Sequence, residues 1–167
     1  GKRILIAGAG MLGLCAVAMC HAAGASFIEV LDPSEARKST AQQFGASVAS
    51  EKIDADIALD FSGVPDAIEG LYDRLAIGGT LVLVGTTTPT RPISIDPGRT
   101  LRRLLTLRGL HNYNTEDFVN AVTFMEQHHL TYPFASLVEH GGNLIDANAI
   151  MAHAAQSSAY RVGISCD

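Results

Sequence analysis

The sequence predicts an α/β fold: a doubly wound, parallel, six-stranded sheet with a small α+β appendage at its C-terminal end. Three observations carry this expectation. Short apolar runs alternate with helical stretches of about 10 to 15 residues, the spacing of βαβ units. The runs are apolar throughout rather than alternating, as strands buried on both faces are. After Gly109 the alternation stops, and the remaining stretch has too little apolar surface to build a full core of its own.

Each element follows from local signals. Residues 3–7 (RILIA) read as a buried strand, and Gly8-Ala-Gly-Met-Leu-Gly13 as a turn. Residues 14–23 form an Ala-rich helix, apolar nearly all round and so expected to be buried, with Gly24 at its C′ position. Residues 26–31 are a second strand ending at Asp32-Pro33, and 34–44 an amphipathic helix with Ser34 as N-cap and Gly45 closing it. Residues 46–49 are a short strand and 57–61 a stronger one. A helix over 64–76 carries Pro65 in its first turn and stops at Gly78-Gly79. Residues 80–84 form the fifth strand. Pro89, Pro92 and Pro97 mark an irregular connection to a sixth over 104–108. Beyond Gly109, a helix runs from Thr115 to about His129, a strand covers 135–139, a helix covers 145–155 and a closing strand covers 160–164.

Composition bounds the function. The chain has 167 residues, 47% of them hydrophobic and 17% charged, so it fills a core and is not disordered. A net charge of −5 leaves nothing to neutralise a run of phosphates, which argues against general nucleic-acid binding. Arg99, Arg102, Arg103 and Arg108 form the one basic cluster, expected to be a solvated face or an interface. Three cysteines, an odd number, argue against a disulfide scaffold and for a reducing, cytoplasmic setting. No charge occurs from Ile4 to Ile28, and Lys2-Arg3 precede that run, the outline of a signal peptide or membrane span. Gly8, Gly10 and Gly13 clustered inside it argue against either, because each Gly costs a helix about 1 kcal/mol. No membrane association is therefore expected.

The turn is the first functional signal. Gly8-x-Gly10-x-x-Gly13 follows a strand, opens a helix, and has an acid, Asp32, at the end of the next strand. In that setting Gly8 makes the tight turn, Gly10 lets backbone approach a pyrophosphate, and Gly13 lets helix and strand pack closely. Backbone N–H groups at the helix start hold the anion, and Asp32 accepts from ribose hydroxyls. Residues 1–111 are thus expected to form an NAD-binding Rossmann domain, with NAD preferred over NADP. Cys15, Cys20 and His21 lack metal-ligand spacing and read as helix packing residues; Cys166 reads as inert, and His128-His129 as a solvated helix end. No group is convincing as a catalyst, although His111 falls near the expected nicotinamide end.

Gly8-Ala-Gly-Met-Leu-Gly13, Asp32-Pro-Ser-Glu-Ala-Arg37 and Gln43-Phe-Gly-Ala46 together resemble the coenzyme domain of zinc-dependent, medium-chain alcohol dehydrogenases. Asp60-Phe-Ser-Gly63, the stretch 78–85 (GGTLVLVG) and Leu107-Arg-Gly109 agree, so the resemblance covers essentially the whole chain. Within the family it leans toward the branch associated with phosphonate catabolism. The resemblance implies that Gly8, Gly10 and Gly13 turn around the pyrophosphate, with N–H groups from Met11 and Leu12. It places Asp32 on the ribose and Arg37 beside the adenosine. Ser62, Gly63, Val84, Gly85 and Thr86 match the strand ends facing ribose and nicotinamide.

The same resemblance implies a departure. The family's catalytic zinc ligands, structural-zinc cysteines and proton relay precede the coenzyme domain, so none is expected here, and no metal site or catalytic residue is assigned. Residues 112–167 resemble the segment that returns to that catalytic domain. The implied activity is hydride transfer between a small alcohol or aldehyde and NAD, inactive in this stretch alone. A homo-oligomer is expected separately, because the strand at 104–108 is predicted to be terminal and its edge needs covering. Two other readings share the turn and the acid: a regulatory NAD-sensing module, and a methyltransferase using S-adenosylmethionine. The first gives no reason for resemblance after Gly109, and the second does not call for the third glycine.

Overall fold

The computed structural model describes residues 1–48 and 54–166. The chain divides into two compact units, Gly1–Phe118 and Val119–Asp167.

The first unit is a parallel α/β sheet. β1 (Arg3–Ala7), α1 (Met11–Ala22), β2 (Phe27–Leu31), α2 (Glu35–Gln43) and β3 (Ala55–Asp60) are followed by α3 (Pro65–Asp73), β4 (Leu75–Leu83), α4 (Pro97–Arg102) and β5 (Thr106–Gly109). The strand order is β2-β1-β3-β4-β5, with every pairing parallel. The chain therefore moves outward from β1 to β2, then crosses back past β1 to β3. The reversal lies between β1 and β3, where open α/β sheets form a crevice at the carboxyl ends of their strands.

The core has two layers of apolar side chains. On one side of the sheet Leu5, Ala58, Ile68, Leu71, Tyr72, Leu75 and Leu81 form a continuous buried cluster. Ile4, Ile6, Leu14, Val17, Ile28 and Phe44 are also buried almost completely. Removing each large aliphatic chain from water contributes about 1.5–3 kcal/mol. Buried Gly13, Leu14, Val17 and Ala18 define a single face of α1, while Leu12 and Met19 are exposed. The expectation of a helix buried all round is corrected: the 3.6-residue period decides burial even where the opposite face is apolar. Cys15 and Cys20 are half-buried on this helix and neither is in a disulfide; burial raises the Cys20 thiol above its ordinary pKa.

Four elements differ from expectation. The described sheet has five strands rather than six. Residues 46–48 are irregular, and Ala49 lies outside the described residues. Ser47 N–H donates to Ile28 O at 2.7 Å, but Ile28 N–H donates to the Ser47 hydroxyl at 3.1 Å, so a side chain stands where a strand carbonyl would. α3 ends at Asp73, and Gly78 (φ +75°) bends β4 instead of stopping the helix. The connection after β4 contains α4, which begins with Pro97 and is capped by Asp96 accepting from Gly98 N–H at 2.8 Å. It ends in a Schellman arrangement, with Leu104 N–H to Leu101 O and Leu105 N–H to Thr100 O. Finally, Arg99 donates to Asp73 O, Arg103 pairs with Asp54 and Arg102 approaches Asp96. Of this basic cluster, Arg103 is thus closely paired with an acid, while Arg99 and Arg102 each lie 3.9 Å from a carboxylate oxygen.

The second unit is built on one βαβ crossover. β6 (Val138–Asn143) and β7 (Arg161–Ser165) pair in parallel and are joined through α6 (Ala147–Gln156). A 3-10 turn, Phe134–Leu137, replaces most of the strand expected over 135–139. Gly141 lets α6 approach β6, because a Cβ there would lie 2.7 Å from Ile150 Cγ2. α5 (Thr115–His128) spans the boundary between units. Asn114 Oδ1 accepts Asp117 N–H and Asp117 Oδ2 accepts Asn114 N–H, a reciprocal cap. Phe124, His128, Tyr132 and Phe134 form a ring cluster, with Phe124 and His128 centroids 4.6 Å apart. His128 is thus packed rather than solvated, while His129 Nδ1 lies against the Met125 and Glu126 carbonyls. Phe118, Val119, Val122 and Met125 leave an apolar stripe of α5 exposed.

Candidate functional site

The crevice begins at the turn between β1 and α1. Gly8 takes φ +94°, and its N–H donates to Leu31 O at 2.9 Å, tying the turn to the end of β2. A Cβ on Gly13 would lie 1.9 Å from Gly8 O, so only glycine permits this contact between helix and turn. A Cβ on Gly10 would meet nothing closer than Arg37 Nη1 at 3.9 Å. That backbone is open toward the crevice. Gly10 caps α1 without a side-chain acceptor, and no acid occupies the first helical turn. The amides of Met11, Leu12 and Gly13 therefore present the positive end of the helix to an incoming anion.

Asp32 closes this side of the crevice. Its Oδ2 accepts Ala9 N–H at 2.8 Å and its Oδ1 accepts Ser34 N–H at 2.9 Å. The carboxylate thereby joins the glycine turn to the start of α2. Gly8, Gly10, Asp32, Arg37 and Ser62 all line a cleft of about 850 Å³, walled on its far side by Val64, the N-cap of α3, and by Ala67 and Gly70 within that helix. At its base Arg74 donates both terminal nitrogens to Glu29, at 2.9 and 2.5 Å, in a largely buried fork.

A second anchor lies at the end of β3, and sequence reasoning did not assign it a role. Asp60 is fully buried; its Oδ1 accepts Ser62 N–H at 2.9 Å, Ser62 Oγ–H at 2.7 Å and Gly63 N–H at 3.1 Å. The Asp-x-Ser-Gly spacing of an Asx turn was the available signal. Val84 and Gly85 N–H both donate to Asp60 O, at 3.0 and 2.9 Å, so the same residue gathers the end of β4. Gly63 (φ +65°) and Gly85 meet backbone to backbone: a Cβ on Gly63 would lie 2.6 Å from Gly85 O.

Beyond that contact a second cleft of about 710 Å³ is lined by Val84, Thr86, Thr87, Thr90, Arg91, Ile93 and His111, among others. The expected site residues are thus gathered in two places along the carboxyl ends of the strands. Gly8, Gly10, Asp32, Arg37 and Ser62 line the first, with Met11, Leu12 and Gly13 following Gly10 at the start of α1; Val84 and Thr86 line the second, and Gly63 and Gly85 touch between them.

This arrangement fits a dinucleotide. It offers an open backbone at Gly10, uncapped helix amides, and a carboxylate whose two oxygens each retain acceptor capacity after one protein hydrogen bond. Among the described residues no group of three or more His, Cys, Asp or Glu side chains converges as a metal site. No helix among them is long and apolar enough to cross a membrane.

Known proteins agree with the fold. L-threonine 3-dehydrogenase from Shewanella halifaxensis is 29% identical over 168 residues, covering 92% of this chain and 44% of that protein. The chain spans under half the length of that curated relative. An alcohol dehydrogenase from Thermotoga maritima superposes with a TM-score of 0.85 at 23% identity, covering 97% of this chain and 49% of the other. A short-chain alcohol dehydrogenase from E. coli CFT073, complexed with NADH, superposes with a TM-score of 0.82 at 15% identity, covering 97% and 51%. The model of the family described as zinc-binding dehydrogenase matches residues 12–127, well over half the chain and past Gly109. A sensing module gave no reason for likeness beyond that point. With the crevice, the glycine turn and this match in agreement, the chain belongs to the zinc-binding dehydrogenase family.

Proposed function

We propose that this chain is the NAD-binding portion of a zinc-dependent dehydrogenase that moves hydride between a small alcohol or aldehyde and the nicotinamide ring. The observation that carries the reading is Asp32, held at the crevice rim by Ala9 and Ser34 N–H with the uncapped start of α1 beside it. In this reading Gly8, Gly10, Met11, Leu12 and Gly13 surround the pyrophosphate through backbone amides. Asp32 accepts from the adenosine ribose, with Arg37 beside it. Ser62, Gly63, Val84, Gly85 and Thr86, at the two strand ends, face the ribose and nicotinamide. The bound nicotinamide would accept or release the hydride, while these residues bind it, orient it and narrow its access to water.

NAD is the preferred cofactor, because a carboxylate at the ribose accepts two hydroxyls and repels a 2′-phosphate. Residues 1–111 serve as the cofactor domain, and 112–167 return to a catalytic domain that carries zinc. The exposed stripe of Phe118, Val119, Val122 and Met125 supports that role, since a bare apolar surface calls for a covering partner. The substrate class follows the alcohol and threonine dehydrogenases among the relatives; the phosphonate-associated branch remains the finer expectation. A homo-oligomer through the free edge of β5 is supported by an entirely exposed strand beside exposed Leu101 and Leu104. The cytoplasm is the proposed compartment. Calorimetric titration with NADH and NADPH is the test: binding of neither, or equal binding of both, overturns the assignment.

A further inference from the structure

Between the two clefts lies an ionic fork that the cofactor reading leaves unused. Arg91 sits on the segment between β4 and α4, 22 and 25 residues from its partners on the first turns of α3. Its Nη1 donates to Glu69 Oε1 at 2.8 Å and its Nη2 to Glu69 Oε2 at 3.0 Å, a parallel two-bond fork. Nη2 also donates to Asp66. Glu69 Oε1 accepts a further bond from Ser94 N–H at 2.7 Å, so one carboxylate holds the segment at two points. Ile93 and Ile95, on either side of Ser94, pack against the buried cluster beneath.

Position gives the fork its meaning. Asp66 lines the cleft that contains Asp32, whereas Arg91 lines the cleft that contains Thr86 and Thr87. The wall of the second cleft is made largely by this segment, through Thr86, Thr87, Thr90, Arg91 and Ile93. The segment has no strand or helix of its own before Pro97, so nothing in its backbone ladder fixes it. An isolated exposed ion pair contributes little. A bidentate guanidinium shared by two carboxylates, one of which also holds a backbone amide, is geometrically specific in a way a single pair is not. Arg91 holds the Glu69 carboxyl at a pKa of about 2, well below the usual range, so the fork stays charged through neutral pH.

We propose that Arg91 is a positioning residue for the nicotinamide-side half of the cofactor site: pinned to Asp66 and Glu69, it sets the wall formed by Thr86 and Thr87. The proposal rests on the cofactor reading above. It requires the fork's geometry and not merely a positive charge, because lysine is a point charge without parallel donors.

Two ligands separate the halves of the site. ADP carries the adenosine and pyrophosphate but no nicotinamide, and NADH carries all three. Wild type and the Arg91→Lys, Arg91→Met and Glu69→Gln variants are titrated with each, with folding of every variant checked by circular dichroism. Arg91→Met is expected to weaken NADH at least about fivefold and leave ADP within about twofold. Arg91→Lys is expected to recover less than half of the NADH loss on a logarithmic scale. Glu69→Gln, which keeps volume and one acceptor, guards against a poorly folded Arg91→Met; it is expected to weaken NADH selectively by a smaller factor. Unchanged NADH affinity in both Arg91→Met and Glu69→Gln overturns the proposal. Equal losses for both ligands, or full rescue by lysine, do so as well. If wild type binds neither ligand, the cofactor reading itself fails, a result recognisably different from a variant effect.

Discussion

The Asp32 carboxylate accepts the backbone N–H of Ala9 at 2.8 Å, across 23 residues of sequence. Ala9 lies inside the glycine turn, so the acid that would read the ribose also fixes the loop that would hold the pyrophosphate. Its other oxygen accepts Ser34 N–H at 2.9 Å, leaving each oxygen further acceptor capacity directed at the crevice.

Cofactor choice follows from that carboxylate. Hydrogen bonds from ribose hydroxyls to a charged acceptor contribute about 1.5–3 kcal/mol. A 2′-phosphate removes one donor and adds repulsion, on the order of 4 kcal/mol per charge pair at about 4 Å and an effective dielectric near 20, before screening. NAD should therefore be favoured over NADP by roughly 100-fold or more, each tenfold being about 1.4 kcal/mol. Asp32→Ser should erase most of this preference in calorimetric titrations. Retained selectivity in that variant contradicts the role given to Asp32.

The two glycines of the turn should respond differently to alanine. A Cβ on Gly13 would lie 1.9 Å from Gly8 O, a backbone atom that cannot yield without moving the turn. Gly13→Ala should cost about 3 kcal/mol or more in urea unfolding, at or above the upper end for overpacking. A Cβ on Gly10 meets only Arg37 Nη1, at 3.9 Å. Gly10→Ala should leave stability within about 1 kcal/mol while weakening NADH, because its methyl projects where the pyrophosphate must approach. Equal destabilisation by the two substitutions contradicts this division of labour.

Asp60 should be structurally indispensable in a way that depends on acceptors rather than on volume. Truncation to alanine strands the half-buried Ser62 and Gly63 amides, and an unsatisfied donor cut off from water costs about 1–3 kcal/mol. Asp60→Ala is expected to lose about 3 kcal/mol, and Asp60→Asn roughly 1, since the amide oxygen can take the place of Oδ1. Denaturant midpoints for the pair are the measurement, and a loss below about 1 kcal/mol for alanine would be incompatible with the network.

Acid sensitivity should arise partly from the opening strand. Arg3, through side-chain and backbone hydrogen bonds, holds the Asp56 carboxyl down to about 2, against 3.8 ordinarily. A depressed folded-state pKa contributes stability that is complete above the unfolded value and lost as pH falls through the folded one. The contribution should fade between about pH 5 and about pH 2. Arg3→Met should flatten the urea-midpoint profile across that window and leave its shape above about pH 6 unchanged. A profile of the same slope in the variant rules out this pair as a source.

What the sequence disclosed depended on how local each signal was. The glycine turn, Asp32 and Ser34 were legible because each belongs to a pattern spanning a few residues. Asp96-Pro97 was equally local, an N-cap before proline at the first helical position, but Pro89, Pro92 and Pro97 together read as an irregular connection and α4 was missed. Gly78-Gly79 read as a helix stop, whereas Gly78 bends a strand; both uses need positive φ, and only tertiary pairing tells them apart. Asp60 fell within the strand expected over 57–61 and was given no role, since its partners are mostly backbone amides that no side-chain pattern records. The Arg91 fork depends on residues more than 20 positions apart and leaves no periodic trace.

The place of β1 between β2 and β3 dictates an order of assembly. A strand with parallel neighbours on both sides cannot be completed by a hairpin; each partner must return through a crossover. As this stretch leaves the ribosome, β1 emerges before either neighbour. The sheet grows on one flank when β2 arrives and on the other only after β3. Because the crevice lies at the seam between those two arrivals, its second wall is missing until the chain beyond Asp60 has emerged. Until then the apolar row of Ile4, Leu5 and Ile6 is bare along one edge, and during synthesis that edge is where wrong pairings compete with the native one.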